Sequence, residues 1–121
     1  MTLVELEPAF KARLQRAYDR DKAWARIWEH LKKAKGPNPN VPFRLQNTLI
    51  YYQDQIDDRL RLCIPRQLER EIFKQAHDEK SHAGFHRCYA EIAATLYLRK
   101  LARRLKKYIA HCPACQVNQM K

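Results

Sequence analysis

Nowhere in these 121 residues do eighteen apolar side chains run together, so no segment is suited to cross a membrane as a helix. The opening "MTLVELEPAF" also lacks the basic start and apolar centre of a secretory signal. These two absences lead to the expectation of a soluble intracellular protein with no membrane partner. No internal repeat or low-complexity tract occurs, which excludes a repeat array. The length leaves room for one domain, or one domain with an appendage, but not for a large enzyme. Acidic side chains are scarce: thirteen Asp and Glu stand against 24 Lys and Arg.

The basic excess is uneven. Residues 1–58 carry ten basic and eight acidic side chains, whereas residues 59–121 carry fourteen and five. A positive field confined to one half of a chain suits a polyanion, and nucleic acid is favoured over a membrane because no long exposed apolar run backs the basic segments.

Hydrophobic spacing divides the chain. Leu6, Phe10, Leu14 and Tyr18 recur every fourth residue, and Trp24, Ile27, Trp28 and Leu31 follow the same period, so two helices over 5–19 and 21–34 are predicted to pair as a hairpin. "GPNPNVP" (36–42) then breaks the helix with three prolines and the only early glycine, marking a linker. Alternation at Phe43 and Leu45, at Leu49 and Tyr51, and at Leu60, Leu62 and Ile64 predicts a three-stranded antiparallel meander. Pro65 suits the first turn of a helix bearing Leu68, Ile72, Phe73 and Ala76 and ending at His77. Further helices are expected at roughly 85–96 and 99–111. The predicted fold is therefore α+β, with an N-terminal extension over 1–64 and a three-helix domain over 65–121. Three short helices hold too few apolar side chains to be stable alone, a deficit that small domains meet with a structural metal.

Four cysteines in an intracellular chain point to metal ligands or buried apolar fillers more than to disulfides. Cys112 and Cys115 supply half of a tetrahedral shell. Upstream, "AHDEKSHAGFHRCYAEI" offers His77, His82 and His86. Taking His77 and His82, the pattern is His-x4-His, twenty-nine intervening residues, then Cys-x2-Cys. Two imidazoles and two thiolates match the borderline softness of zinc, and the insert is long enough for two helices that unite the pairs. His86 could replace His82, and His111 adjoins the cysteines; His77 with His82 is favoured because Gly84 can turn the chain after a ligand. Four protein ligands leave no open position for water, so the zinc, one per chain, is expected to be structural. A thioredoxin-like redox pair is the competing reading of Cys112 and Cys115. It ranks low because the pair follows a helix, where the negative end of the dipole raises a thiol pKa. Cys63 and Cys88 are read as buried fillers and His30 as solvated.

The segments "RLCIPRQLEREIFKQAHDE" and "AHDEKSHAGFHRCYAEI…YIAHCPACQVNQ" resemble the HHCC zinc-binding domain at the N-terminus of integrases from gypsy-class LTR retrotransposons. The resemblance covers residues 60–119 and implies His77, His82, Cys112 and Cys115 as ligands. Residues 1–58 are similar to the extension that precedes this domain in gypsy-class polyproteins. The chain reads "LYLRKLA" where many relatives carry Tyr-Trp-Pro between the last two helices. Integrases of this kind join DNA with a later RNase-H-like domain bearing three metal-binding carboxylates. The sequence ends six residues after Cys115, so that chemistry is expected to lie outside this chain, which is not expected to be an enzyme or to take a small-molecule substrate.

"RKLARRLKK" places Leu101 and Leu105 toward a core and Arg99, Lys100, Arg103, Arg104, Lys106 and Lys107 toward solvent, where they can neutralise phosphates without reading bases. The resemblance implies element DNA ends as the ligand, self-association or contact with the catalytic domain as an aid to integrase assembly, and a nuclear or retroelement-particle location. The alternative is a captured retroelement domain that binds another protein through its N-terminal half, with Trp24, Trp28, Tyr51 and Tyr52 as anchors. Burial of the tryptophans would argue against it.

Overall fold

The computed structural model describes residues 7–34, 41–54, 56, 59–78, 84–113 and 115. Leu6, His82 and residues 36–40 of the expected linker lie outside the described residues. In chain order the elements are α1 (Pro8–Arg20), α2 (Lys22–Lys33), β1 (Phe43–Gln46), β2 (Leu49–Gln53), β3 (Leu60–Cys63), α3 (Arg66–Phe73), a π-helical turn (Lys74–Asp78), α4 (Phe85–Thr95), β4 (Leu96–Tyr97) and α5 (Leu101–Ala110).

α1 opens on Pro8, whose missing N–H is no loss in a first turn, and buries Leu14, Ala17 and Tyr18. A single residue, Asp21, separates it from α2. One Asp21 carboxylate oxygen accepts the Ala23 and Trp24 N–H groups at 3.1 and 3.5 Å, capping α2. The other accepts the Arg66 N–H at 3.2 Å, at the start of α3, where Pro65 provides no side-chain cap. One carboxylate thus caps two helices that are distant in sequence. Asp21→Ala is expected to cost about 2 kcal/mol, roughly one for each cap, seen as a lower urea midpoint at unchanged slope.

The expected meander forms, but the sheet has four strands, not three. β1 and β2 pair antiparallel with Phe43 opposite Tyr52 and Leu45 opposite Ile50, and β2 meets β3 with Tyr51 opposite Leu62. Asn47 and Thr48, both at positive φ, make the tight two-residue connection between the first two strands. β4 then lies parallel to β3, with Leu62 opposite Leu96 and Cys63 opposite Tyr97. Apolar spacing alone continues the preceding helix through Leu96. Instead α4 stops at Thr95, and the Ile64 N–H donates to the Tyr97 carbonyl at 3.0 Å. Extended backbone satisfies the open edge of β3 and buries Leu96 and Leu98 together, which a helical turn would point apart. A parallel pair needs a long crossover, and α3 with α4 supplies it.

Burial in β2 departs from strict alternation: neighbouring Leu49 and Ile50 are both buried. Both side chains belong to the continuous apolar cluster, so the strand buries residues of each parity here. The core is one continuous cluster reaching from Leu14 in α1 to Leu105 in α5. Trp24, 1% exposed, packs edge-on against Phe43 at 5.5 Å and Tyr97 at 6.1 Å. Tyr97 in turn stacks on Tyr52 at 4.3 Å. The buried Tyr18 hydroxyl donates to the Cys63 carbonyl at 2.6 Å, and burial pushes this phenol well up, so it remains a donor. Trp28 is half-buried with its ring 6.1 Å from that of Tyr18. The hairpin is therefore sealed onto the sheet by its aromatic side chains.

Candidate metal centre

The apolar stripe of α3, Leu68, Ile72 and Phe73, anchors the helix, and the chain continues through the π-helical turn that carries Ala76 and His77. Such widened turns recur at functional sites because they re-aim the side chains they carry. The His77 imidazole ends up fully buried, 0% exposed. A solvated histidine would gain nothing from that position, so the ring needs a partner inside.

The cysteines arrive from the other direction. α5 buries Leu101 and Leu105 and ends at Ala110, after which the Cys112 N–H donates back to the Ile109 carbonyl at 3.1 Å. That turn buries Cys112 and leaves Cys115 half-buried. The Cys115 Sγ lies 3.3 Å from the His77 Nε2, and one ligand atom each from His77, Cys112 and Cys115 falls within 4.8 Å of the others. Zn–S and Zn–N bonds of about 2.3 and 2.0 Å at a tetrahedral angle set ligand atoms roughly 3.5 Å apart, so the trio fits three corners of one zinc shell.

Tyr108 packs against the imidazole and is itself tied to Asp78, a role the sequence did not disclose. The Tyr108 hydroxyl donates to the Asp78 Oδ2 at 3.1 Å, and its ring meets those of Phe73 at 5.5 Å and His77 at 6.1 Å. Burial and then the Asp78 hydrogen bond push the phenol up to about 12, so it keeps its proton at neutral pH. The only hint available was the position of Asp78 beside His77. For Cys115, burial first, and then the hydrogen bond and charge of Cys112, push the thiol up. A protonated thiol after a helix is a poor redox nucleophile, whereas a dication outweighs these effects.

The other candidates lie apart. His86 is exposed in α4 with its ring 5.3 Å from that of Phe85, and it does not join the trio. His111 is also exposed, its Nδ1 2.8 Å from the Lys107 carbonyl, a contact that requires the proton on that nitrogen. Cys63 and Cys88 are buried and apart from the trio, as is expected of fillers, and the Cys88 thiol donates to the Ala76 carbonyl at 3.3 Å. His30 is exposed. Gly84 immediately precedes α4 with φ −69°, and a Cβ there would meet nothing within 4 Å. The helix starts where it was placed, but no left-handed backbone demands the glycine.

Residues 64–121, which hold the whole trio, match the family model of the integrase zinc binding domain. Over those residues the chain is similar to the integrase zinc binding domain. No curated protein and no solved structure gives a significant match. The zinc of this domain is structural: the donor set suits the ion, and the ion supplies the cross-link between the π-helical turn and the end of α5 that three short helices need.

The basic residues in and just before α5 fall into two groups. Leu101 and Leu105 are buried as expected, and Arg99, Lys100, Arg103, Lys106 and Lys107 are exposed. Arg104 is half-buried and donates to the Glu69 Oε2 at 2.8 Å, closing an ion pair with a carboxylate only 8% exposed. Burial pushes the Glu69 carboxyl up, against the pull of Arg104. Lys106 sits with its Nζ 5.1 Å above the Phe85 ring. Among the described residues no helix is long and apolar enough to cross a membrane.

Proposed function

We propose that the chain is the zinc-stabilised N-terminal region of a gypsy-class LTR retroelement integrase, which binds element DNA ends and helps to assemble the enzyme. The observation that carries this reading is the buried His77 set against Cys112 and Cys115 within the segment that matches the integrase family. In this reading His82 is the fourth ligand. Three protein ligands plus a water would be the pattern of a catalytic zinc; a second imidazole closes the shell. Residues 1–64 serve as the extension that braces the domain through Asp21, Tyr18 and Trp24. The basic residues of α5 contact DNA phosphates, self-association or docking of the catalytic domain completes the assembly, and the protein acts in the nucleus or in retroelement particles.

Burial of Trp24 weighs against the protein-binding alternative, since an anchor for another chain must reach solvent. Two measurements test the proposal. His82→Ala should strip metal from the purified chain, whereas His86→Ala should leave one zinc per molecule. The reverse result would move the ligand to His86. The wild-type chain should also bind duplex DNA with little sequence preference and an affinity that falls steeply with salt. Salt-independent or absent binding would remove DNA from the account and leave a purely structural module.

A further inference from the structure

Between α3 and α5 lies a cleft of about 920 Å³ whose rim is basic. Arg66 and Arg70 come from α3; Lys100, Arg103, Arg104 and Lys107 come from the start and one face of α5. A side cavity of about 150 Å³ shares Arg66, Glu69, Lys100 and Arg104 with it and adds Arg99. The two acids in the main cleft are engaged: Glu69 accepts from Arg104, and Asp78 accepts from Tyr108. Arg66, Arg70, Lys100, Arg103 and Lys107 close no ion pair among the described residues. Five such cations around one concavity repel each other and focus a positive potential into it, which an extended anion relieves.

The same walls say which anion. Phe73 is buried, and the Tyr108 ring is packed between Phe73 and His77. A groove for single strands offers open aromatic faces on which bases stack; here Phe73 is buried, and the half-buried Tyr108 is held against Phe73 with its hydroxyl on Asp78. What remains is contact with phosphates.

We infer that this cleft is the nucleic-acid interface of the domain, and that it grips the phosphodiester backbone of a duplex from both helices without reading its bases. The inference rests on the DNA-binding reading above and alters its footprint. Arg66 and Arg70, outside the basic run of α5, join the interface, while Lys106, which does not line the cleft, leaves it. Glu69 is the group that opposes binding: it lines the basic cleft and holds Arg104 back from a phosphate.

The test uses the full zinc-loaded chain and a fluorescent DNA duplex of arbitrary sequence, titrated across a salt series. Substituting Arg66→Gln with Arg70→Gln should flatten the slope of log affinity against log salt by up to about 1.8. That loss is worth roughly 30-fold in affinity near ~0.15 M salt, at −0.9 per phosphate. Lys106→Gln should change neither quantity. Glu69→Gln should tighten binding several-fold by freeing Arg104, a gain that a misfolded variant would not show. If the wild type binds with a steep slope and the double variant matches it, the cleft is overturned while DNA binding stands. If the wild type shows no salt-dependent binding, both readings fall together. A tighter grip on single-stranded DNA, or on polyglutamate at equal charge, than on duplex would overturn the assignment of the occupant.

Discussion

Replacing Cys112 with alanine is expected to abolish zinc binding and unfold residues 66–110. In small zinc modules the free energy of metal binding, about 10–16 kcal/mol at neutral pH, is also the free energy of folding, far more than a core of this size supplies alone. Here the ion joins two chain segments that otherwise meet mainly through Tyr108: the π-helical turn with His77 and the exit of α5 with Cys112 and Cys115. His77→Ala should act alike and also leave a hole in a fully buried position. The N-terminal elements should respond differently. Trp24 keeps Phe43 when the zinc domain melts but loses Tyr97, and Tyr18 keeps the strand carbonyl that it binds. Hydrogen exchange should therefore show protection lost throughout 66–110 and weakened, not erased, in α1, α2, β1 and β2. Uniform native protection in the metal-free variant would refute the structural role of the zinc.

Trp24→Ala should produce the second largest effect. The side chain is fully enclosed between the hairpin, β1 and β4, and truncating a buried tryptophan typically costs about 3–5 kcal/mol. For a domain of this length that is a fall in melting temperature of about 12–20 °C. Trp28, half-buried at the outer side of the same hairpin, should cost clearly less. Because Tyr97 belongs to β4, which lies in the zinc-binding half and pairs with β3 of the extension, the loss should appear as one cooperative transition at a lower temperature. Zinc content at low temperature should stay at one per chain. If Trp24→Ala melted only the hairpin and left a separate high-temperature transition, the continuous core would be two weakly coupled ones.

The helices were legible because their signals are long: Phe10, Leu14 and Tyr18 at period four in α1, a tryptophan-rich stripe in α2, and Leu101 with Leu105 in α5. The site was legible for a chemical reason. Histidine and cysteine in close pairs carry their function in their identity, and His77, Cys112 and Cys115 do converge. Features that depend on distant partners were not legible. β4 is two residues long, too short to display any period, and exists because β3 has an open edge. Leu49 and Ile50 broke the alternation expected of a one-sided sheet because both enter the core cluster, whose reach depends on distant elements. The pairing of Arg104 with Glu69 and the double capping by Asp21 join residues 35 and 45 positions apart, and no local pattern announces them.

X-ray absorption at the zinc edge of the purified wild-type chain tests the central claim most directly, because it counts the atoms around the ion. The account predicts one zinc per molecule with two sulfur neighbours near ~2.3 Å and two imidazole nitrogens near ~2.0 Å. The same two-sulfur shell should persist in His86→Ala and in Cys88→Ala. A shell with three sulfurs, which would bring in Cys88, or one with a water oxygen in place of the second imidazole, would contradict the closed structural site on which the account stands.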